Sequence, residues 1–348
     1  MILDYPLRPA KGLRPKLCLA ATEALGAPEQ LAFGSAVALE LLHNAFLIHD
    51  DVEDGSTHRR SEQTLHEAHG VPTAVNVADA MFALALRPLL DNCESLGLGP
   101  SLEVFDLIVR TFLVTVRGQE RELRWIRDNS WPLPADFEAA YRQLVLEKTS
   151  TYSFLAPIRI AVIAAGADSE LLRPLELYAT DLGLAFQITD DVLNLEPSVD
   201  YGKEDSGDLW EGKRTLILMH AMAQEGNTQR RRAAVEVLRG IRSSSKGPSI
   251  TSVLEKLKAR GELSATAFLE LRGALPPHLV AEHKTHAGIQ LLVELVRDHA
   301  SLEFARTAAR DARRRAEEHL DSVRPRLHPG ESLDVLSALL QYVIERQR

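Results

Sequence analysis

Four acids fall within five residues at Asp50-Asp51-Val52-Glu53-Asp54, directly after an apolar run. A second acidic segment, Asp190-Asp191-Val192-Leu193-Asn194, repeats the arrangement much later in the chain. Residues four apart share a helix face, so Asp50 and Asp54 project together, as do Asp190 and Asn194. Carboxylates this crowded repel one another unless cations compensate. Oxygen donors suit hard dications such as Mg²⁺, which commonly bridge one or two carboxylates to phosphate oxygens. Basic residues follow each segment: Arg59 and Arg60 the first, Lys203 and Lys213 the second. Carboxylates for metal together with guanidinium and ammonium groups for phosphate make the chemistry of a diphosphate site. One such cluster alone reads more simply as a solvated helix end. Two clusters with basic followers do not.

Each acidic segment must be held by the element that precedes it, and those elements read as helices. Apolar residues recur at helical spacing over roughly 29–49, 74–95, 136–165, 170–195, 287–298, 301–322 and 331–346. In 101–116 the positions Leu102, Phe105, Ile108, Val109, Phe112 and Val116 follow the same pattern. Aromatics are only 5%, and no alternating run ends in an Asn-Gly type turn, so strands are not expected. The expectation is an all-α protein with one large core, residues 1–348 forming a single domain. The stretch at about 243–285 looks like an insertion, with a loop at Ser243 to Pro248 and short helices at 253–260 and 265–272.

Composition excludes several classes. Acids exceed bases by 49 to 40, a net charge of −9, which disfavours nucleic acid as a partner. Cys18 and Cys93 are far apart, with no metal-ligand spacing, so neither a disulfide scaffold nor a cysteine zinc site is expected. The opening residues carry no apolar secretory core, and no uninterrupted apolar run reaches membrane-spanning length. A cytoplasmic protein without a stable membrane anchor is expected.

Beyond these physical signals the chain resembles the trans-isoprenyl diphosphate synthases. Glu40 to Arg60 is similar to that family's first aspartate-rich motif with its arginine pair, and Phe186 to Thr215 to the second. Lys11 to Pro15 is similar to its N-terminal basic motif, Glu147-Lys148-Thr149 to its Lys-Thr motif, and Leu340 to Arg346 to its last helix. The resemblance implies a bundle of long antiparallel helices around a central cavity. It implies a homodimer that condenses isopentenyl diphosphate with an allylic diphosphate (dimethylallyl, geranyl or farnesyl). It further implies that Asp50, Asp51 and Asp54 hold two Mg²⁺ ions and Asp190, supported by Asp191, a third. Arg59, Lys148, Lys203 and Lys213 would grip the allylic diphosphate; Lys11, Arg14, His43 and Arg60 would bind that of isopentenyl diphosphate. Thr149 and Gln187 would stabilise positive charge on the reacting carbons. Alone, His43 on an apolar helix reads as a core histidine. It gains weight by lying two turns before Asp50, on the same face. Trp125, Trp131 and Phe46 read as packing residues, and Gln119 as a structural amide.

Two rivals share these features. A terpene cyclase would keep the acidic clusters but has no need of Lys11, Arg14 and Arg60. A regulatory homologue typically loses acidic ligands, whereas the first cluster here is complete. Two departures from the family stand out: Asn194 in place of a third aspartate, and Ser61 in place of the glycine usual after the arginines. The segments LLHNAFLIHDDVED and FQITDDVLNL look most like geranylgeranyl diphosphate synthases. In the family a bulky aromatic five before the first aspartate stops growth at fifteen carbons. Here that position is Ala45, so a twenty-carbon product is expected, unless Phe46 turns inward and closes the tunnel.

Overall fold

The computed structural model describes residues 1–196, 206–240, 250–275 and 284–345. Lys203, the 243–248 loop, the last part of the expected insertion and Arg346 lie outside the described residues, wholly or in part. Helices account for nearly all of the architecture. After the one-turn α1 (Asp4–Leu7) come α2 (Leu13–Ala24), α3 (Phe33–Asp54), the short α4 (Leu65–His69), α5 (Val71–Leu96) and α6 (Leu98–Arg127). Helix α7 (Phe137–Val145) runs through a π-helical segment, Leu146–Leu155, into α8 (Ala156–Ala165). Helices α9 (Ser169–Leu195), α10 (Gly207–Glu211), α11 (Leu216–Gln224) and α12 (Thr228–Arg239) follow. A helix pair, α13 (Ile250–Ala259) and α14 (Ala265–Ala274), packs one against the other. The chain closes with α15 (His286–Asp298), α16 (Ser301–Val323) and α17 (Glu331–Glu345).

The apolar stripes explain the packing. Helix α3 lies along α5, α9 along α16, and both α6 and α9 against the π segment. Leu182, Ala185 and Ile188 of α9 meet Ala309, Ala312, Ala316 and Leu320 of α16 in the largest core. The alanines on α16 let two long helices approach closely. A second core joins α3, α5, α6 and α8, and a third seats Tyr5 and Ala45 against Val77, Ala78 and Met81. Segment Glu29–Asp54 and helix α5 are long and apolar enough to cross a membrane by length and composition alone.

Two glycines set where the chemistry can sit. A Cβ on Gly118 of α6 would lie 2.4 Å from the backbone nitrogen of Lys148, and one on Gly183 of α9 2.4 Å from Ser150 Oγ. The π segment is therefore wedged between two helix faces that carry no side chain at the contact. A π-helical turn places consecutive side chains differently from α-helix and commonly occurs at functional sites.

Beside the helices, the described residues hold one short hairpin that no turn signal announced. His58–Arg59 pairs antiparallel with Glu62–Gln63, and Arg60 (φ +53°) and Ser61 (φ +65°) make the two-residue turn. Such turns need positive φ and normally announce themselves by Asn-Gly. Here tertiary contacts hold the turn instead. Arg8 donates to the carbonyls of Arg59 (2.9 Å) and Gln63 (2.7 Å), and Thr64 Oγ1 donates to the carbonyl of Ser56 (2.8 Å).

Candidate active site

A cavity of about 1340 Å³ opens between the C-terminal ends of α3 and α9. Helix α3 delivers His43, Phe46, Asp50 and Asp54; the hairpin delivers Arg59 and Arg60. The π segment contributes Lys148, Thr149 and Tyr152, and α9 contributes Gln187, Asp190, Asp191 and Asn194. Lys213 enters just after α10, and Arg14 from the first turn of α2.

The carboxylates of the first cluster are met by cations of the protein itself. Lys148 Nζ lies 3.3 Å from Asp50 Oδ1 and also bonds Glu122. Lys213 Nζ lies 2.7 Å from Asp54 Oδ2 and 2.7 Å from Glu211. Burial works against the ionised form of Asp50, but Lys148, Lys213 and Arg59 outweigh it and hold its pKa well below the usual carboxylate value. For Asp54 burial wins. Its carboxyl is pushed up to about 7, with Asp50 and Glu211 adding to the effect and Lys213 opposing it. Burial also opposes the charge on Lys148, yet Asp50 and Glu122 keep it above the ordinary lysine value. Both lysines are charged at neutral pH.

Asp51 departs from the expected role. Its side chain is 1% exposed and turned away from the cavity, where it accepts from Arg59 Nε (2.9 Å) and from the Tyr5 hydroxyl. Successive residues on a helix point about 100° apart, so Asp51 leaves the direction of Asp50 and meets Tyr5 and Arg59 instead. Asp191 is likewise braced, accepting from Tyr141 Oη (2.7 Å) and Gln187 Nε2 (2.8 Å), while burial pushes its carboxyl up to about 7. Gln187 Oε1 accepts from Thr149 Oγ1 (2.8 Å), which joins Thr149, Gln187, Asp191 and Tyr141 in one chain of hydrogen bonds. Asp190 is exposed on the cavity wall. Asn194 Oδ1 accepts from the backbone nitrogen of Asp208 (3.0 Å), so this amide anchors α10, the element that leads to Lys213.

Of the basic set, Arg14, His43, Arg59, Arg60, Lys148 and Lys213 all line the cavity. Lys11 does not; its ammonium sits over the Tyr342 ring, 5.1 Å from the centroid. The spacing signals did not reveal Tyr5, Glu122, Tyr141, Tyr152 or Arg214. Arg214 is 1% exposed and reaches Asn129 Oδ1 (2.6 Å) and the Trp131 ring (4.6 Å), which pins the residue next to Lys213. Glu122 left one trace, an acid on the otherwise inward face of α6.

The two positions that bear on product length lie on different faces of α3. Ala45 is fully buried against α5 and does not line the cavity. Phe46 does, and its ring packs on Phe82, Phe112 and Tyr152 with centroids 5.4 Å away in each case. These aromatic rings floor the cavity about 6 Å along the helix axis from Asp50.

Asp50, Asp54 and Asp190 present hard oxygen donors to one cavity, which fits a divalent metal. Among the described residues no group of three or more histidine, cysteine, aspartate or glutamate side chains is already gathered as a cage. One or two carboxylates completed by substrate phosphate oxygens are the ligand set that suits Mg²⁺.

A helical cavity with an acidic helix end on each of two walls and basic residues between them is the architecture of an isoprenoid synthase. The polyprenyl synthetase family model matches residues 1–256, and the chain belongs to that family and is a trans-prenyltransferase. It is 29% identical to a geranylgeranyl diphosphate synthase of Sulfolobus acidocaldarius over 61% of this chain and 63% of that protein. It is 31% identical to a (2E,6E)-farnesyl diphosphate synthase of Mycobacterium tuberculosis over 72% of this chain and 67% of that one. The structure of a Caulobacter crescentus polyprenyl synthase complexed with calcium and isoprenyl diphosphate superposes with a TM-score of 0.74. That match is 25% identical and covers 100% of this chain and 88% of the other. These likenesses indicate dependence on a divalent metal.

Proposed function

We propose that this chain condenses isopentenyl diphosphate with an allylic diphosphate, using Mg²⁺, to give geranylgeranyl diphosphate. The observation that carries the reaction class is the convergence of Asp50, Asp54 and Asp190 with Lys148, Lys213 and Arg59 on one cavity. Cleaving an allylic C–O bond leaves negative charge on diphosphate. Bound Mg²⁺, three ions in this reading, would neutralise that charge, with Asp50, Asp54 and Asp190 as the holding carboxylates. Lys148, Lys213 and Arg59 donate to the departing oxygens. Thr149 and Gln187 turn oxygen atoms toward the allylic carbons and favour positive charge there. Arg14, His43 and Arg60 hold the second diphosphate so that its double bond faces the cation. Lys203 belongs to the allylic set by its motif, and Lys11 would have to leave Tyr342 to join the second.

Likeness of the acidic motifs to geranylgeranyl synthases supports twenty carbons. A fifteen-carbon product is the second reading, and the Phe46 floor specifically favours it. Incubation with both substrates and Mg²⁺, followed by chromatography of the dephosphorylated alcohols, separates the two. Phe46→Ala should then lengthen the wild-type product by at least one isoprene unit. An unchanged product would remove Phe46 from the floor.

A cytoplasmic single-domain enzyme, residues 1–348 with an insertion at about 243–285, is the accompanying reading. A homodimer is part of it. Leu102 (58% exposed), Phe105, Val109 and Leu113 (58%) recur at helical spacing as an exposed apolar stripe on α6, and Leu86 and Leu90 are exposed on α5. A stripe of this size on a long helix is the kind of surface a second copy covers.

A further inference from the structure

We propose that Tyr152 positions the isopentenyl diphosphate site and, through its ring, helps set product length. The inference rests on the synthase reading above, and no sequence motif pointed to this residue. Three contacts define it. Arg14 Nη2 donates to Tyr152 Oη at 3.0 Å, and the guanidinium lies 4.7 Å from the ring centroid. Tyr152 Oη lies 3.5 Å from His43 Nδ1, with the two rings stacked at 5.9 Å. On its other side the ring meets Phe46 at 5.4 Å.

The hydroxyl has one hydrogen to give. Arg14 can only donate, which leaves the Tyr152 hydrogen available to His43 Nδ1. His43 is kept neutral, chiefly by burial and then by Arg14, Arg60 and Arg59. A neutral imidazole whose Nδ1 accepts carries its proton on Nε2. Tyr152 thus selects the tautomer in which His43 is a donor, as a diphosphate ligand requires. It also fixes Arg14, a buried cation that has no carboxylate within ion-pair distance among the described residues. Arg14 Nε lacks any partner there. An anion entering the cavity supplies what this pair lacks.

Tyr152 lies four residues after Lys148, so the π segment carries the allylic-diphosphate lysine and this tyrosine on one rigid element. The tyrosine separates the polar pair Arg14 and His43 from the aromatic floor at Phe46. Its two ends have separable effects. The hydroxyl acts on isopentenyl diphosphate, and the ring acts on the growing chain.

The test uses the full-length enzyme and two variants. Tyr152→Phe should raise the KM for isopentenyl diphosphate about tenfold, with kcat, the allylic KM and the product unchanged; loss of one charge-assisted hydrogen bond is of that size. In an Arg14→Gln background the same substitution should add less than it does in wild type, because part of the hydroxyl's effect runs through Arg14 and only the His43 part remains. Tyr152→Leu should lengthen the product by one isoprene unit or more. An unchanged isopentenyl KM in Tyr152→Phe, or a full additional penalty in the Arg14→Gln background, overturns the positioning role. An unchanged product in Tyr152→Leu overturns the role in length. If wild type condenses no primer, the synthase reading fails instead. Calorimetry of inorganic diphosphate binding then still decides the first role, since equal affinities in wild type and Tyr152→Phe would overturn it.

Discussion

Asp51 and Asp190 belong to the two motifs in equal measure, yet their surroundings assign them different work. Asp190→Asn removes an exposed oxygen on the cavity wall and should cut kcat by several orders of magnitude while leaving the melting temperature near wild type. Asp51→Asn removes the buried partner of Arg59, which should cost about 3 kcal/mol in chemical denaturation and raise the KM for the allylic primer. Equal effects of the two substitutions on both readouts would contradict the geometry. Asp54 supplies a pH signature. A carboxyl pushed up to about 7 keeps its proton below that pH, and a protonated carboxyl is a poor metal ligand. Metal loading therefore releases a proton, and half-saturating Mg²⁺ should fall as pH rises from about 6 to about 8. Activity titrations with Mg²⁺ across that range check it, and Asp54→Asn should flatten the trend. Spacing singled out Asp50, Asp54, Asp190 and Lys213, the family resemblance added Lys148, and all five line the cavity. Spacing could not tell Asp51 from Asp50, because it names a face only when the neighbouring elements are known. Tyr5, Tyr141 and Tyr152 were hidden for a related reason: a tyrosine announces no chemistry until its hydroxyl has a partner.

At the scale of elements, the π segment and the hairpin carry the predictions. Gly118→Ala gains up to about 1 kcal/mol of helix propensity but places a methyl on the backbone of Lys148. Overpacking of that kind costs about 1–3 kcal/mol, so the variant should be destabilised, and it should lose activity as Lys148 leaves Asp50. Urea denaturation together with a turnover assay would show both. Ser61→Gly should act in the opposite sense. Relief of a left-handed serine should raise stability by about 0.5 kcal/mol, provided the turn stays held by Arg8. The long helices were readable from their 3.6-residue periodicity, and the helices at 250–259 and 265–274 lie close to where composition suggested. The hairpin was not readable. Its positive-φ residues are an arginine and a serine, so the turn owes its shape to Arg8 rather than to its own residues.

For the whole molecule, the amphipathic reading of α6 was half right. Ile108 and Phe112 face inward, but Leu102, Phe105 and Val109 are at the surface, so this helix is apolar on two sides. The homodimer proposed above would cover the second side, which periodicity alone cannot reveal. Leu102→Glu with Leu113→Glu, both outside the cavity, should convert a dimer to a monomer by light scattering and leave helix content unchanged by circular dichroism. A wild-type protein that already runs as a monomer at micromolar concentration would rule out this interface.

The pairing of Lys148 with Asp50 and of Lys213 with Asp54 has a consequence for how ligands enter. Magnesium arriving alone would displace Lys148 from Asp50 and Lys213 from Asp54, leaving each ammonium only its second acid, Glu122 or Glu211. Diphosphate arriving alone finds its two lysines already engaged by carboxylates. With both present, Lys148 and Lys213 would each exchange a carboxylate for a phosphate oxygen, and Asp50 and Asp54 would be left to hold the metal, so the charges would stay paired. The two ligands should therefore bind with strong mutual synergy, each tightening the other by the same factor. The resting enzyme would then ignore free magnesium and free diphosphate at concentrations where it saturates with the pair.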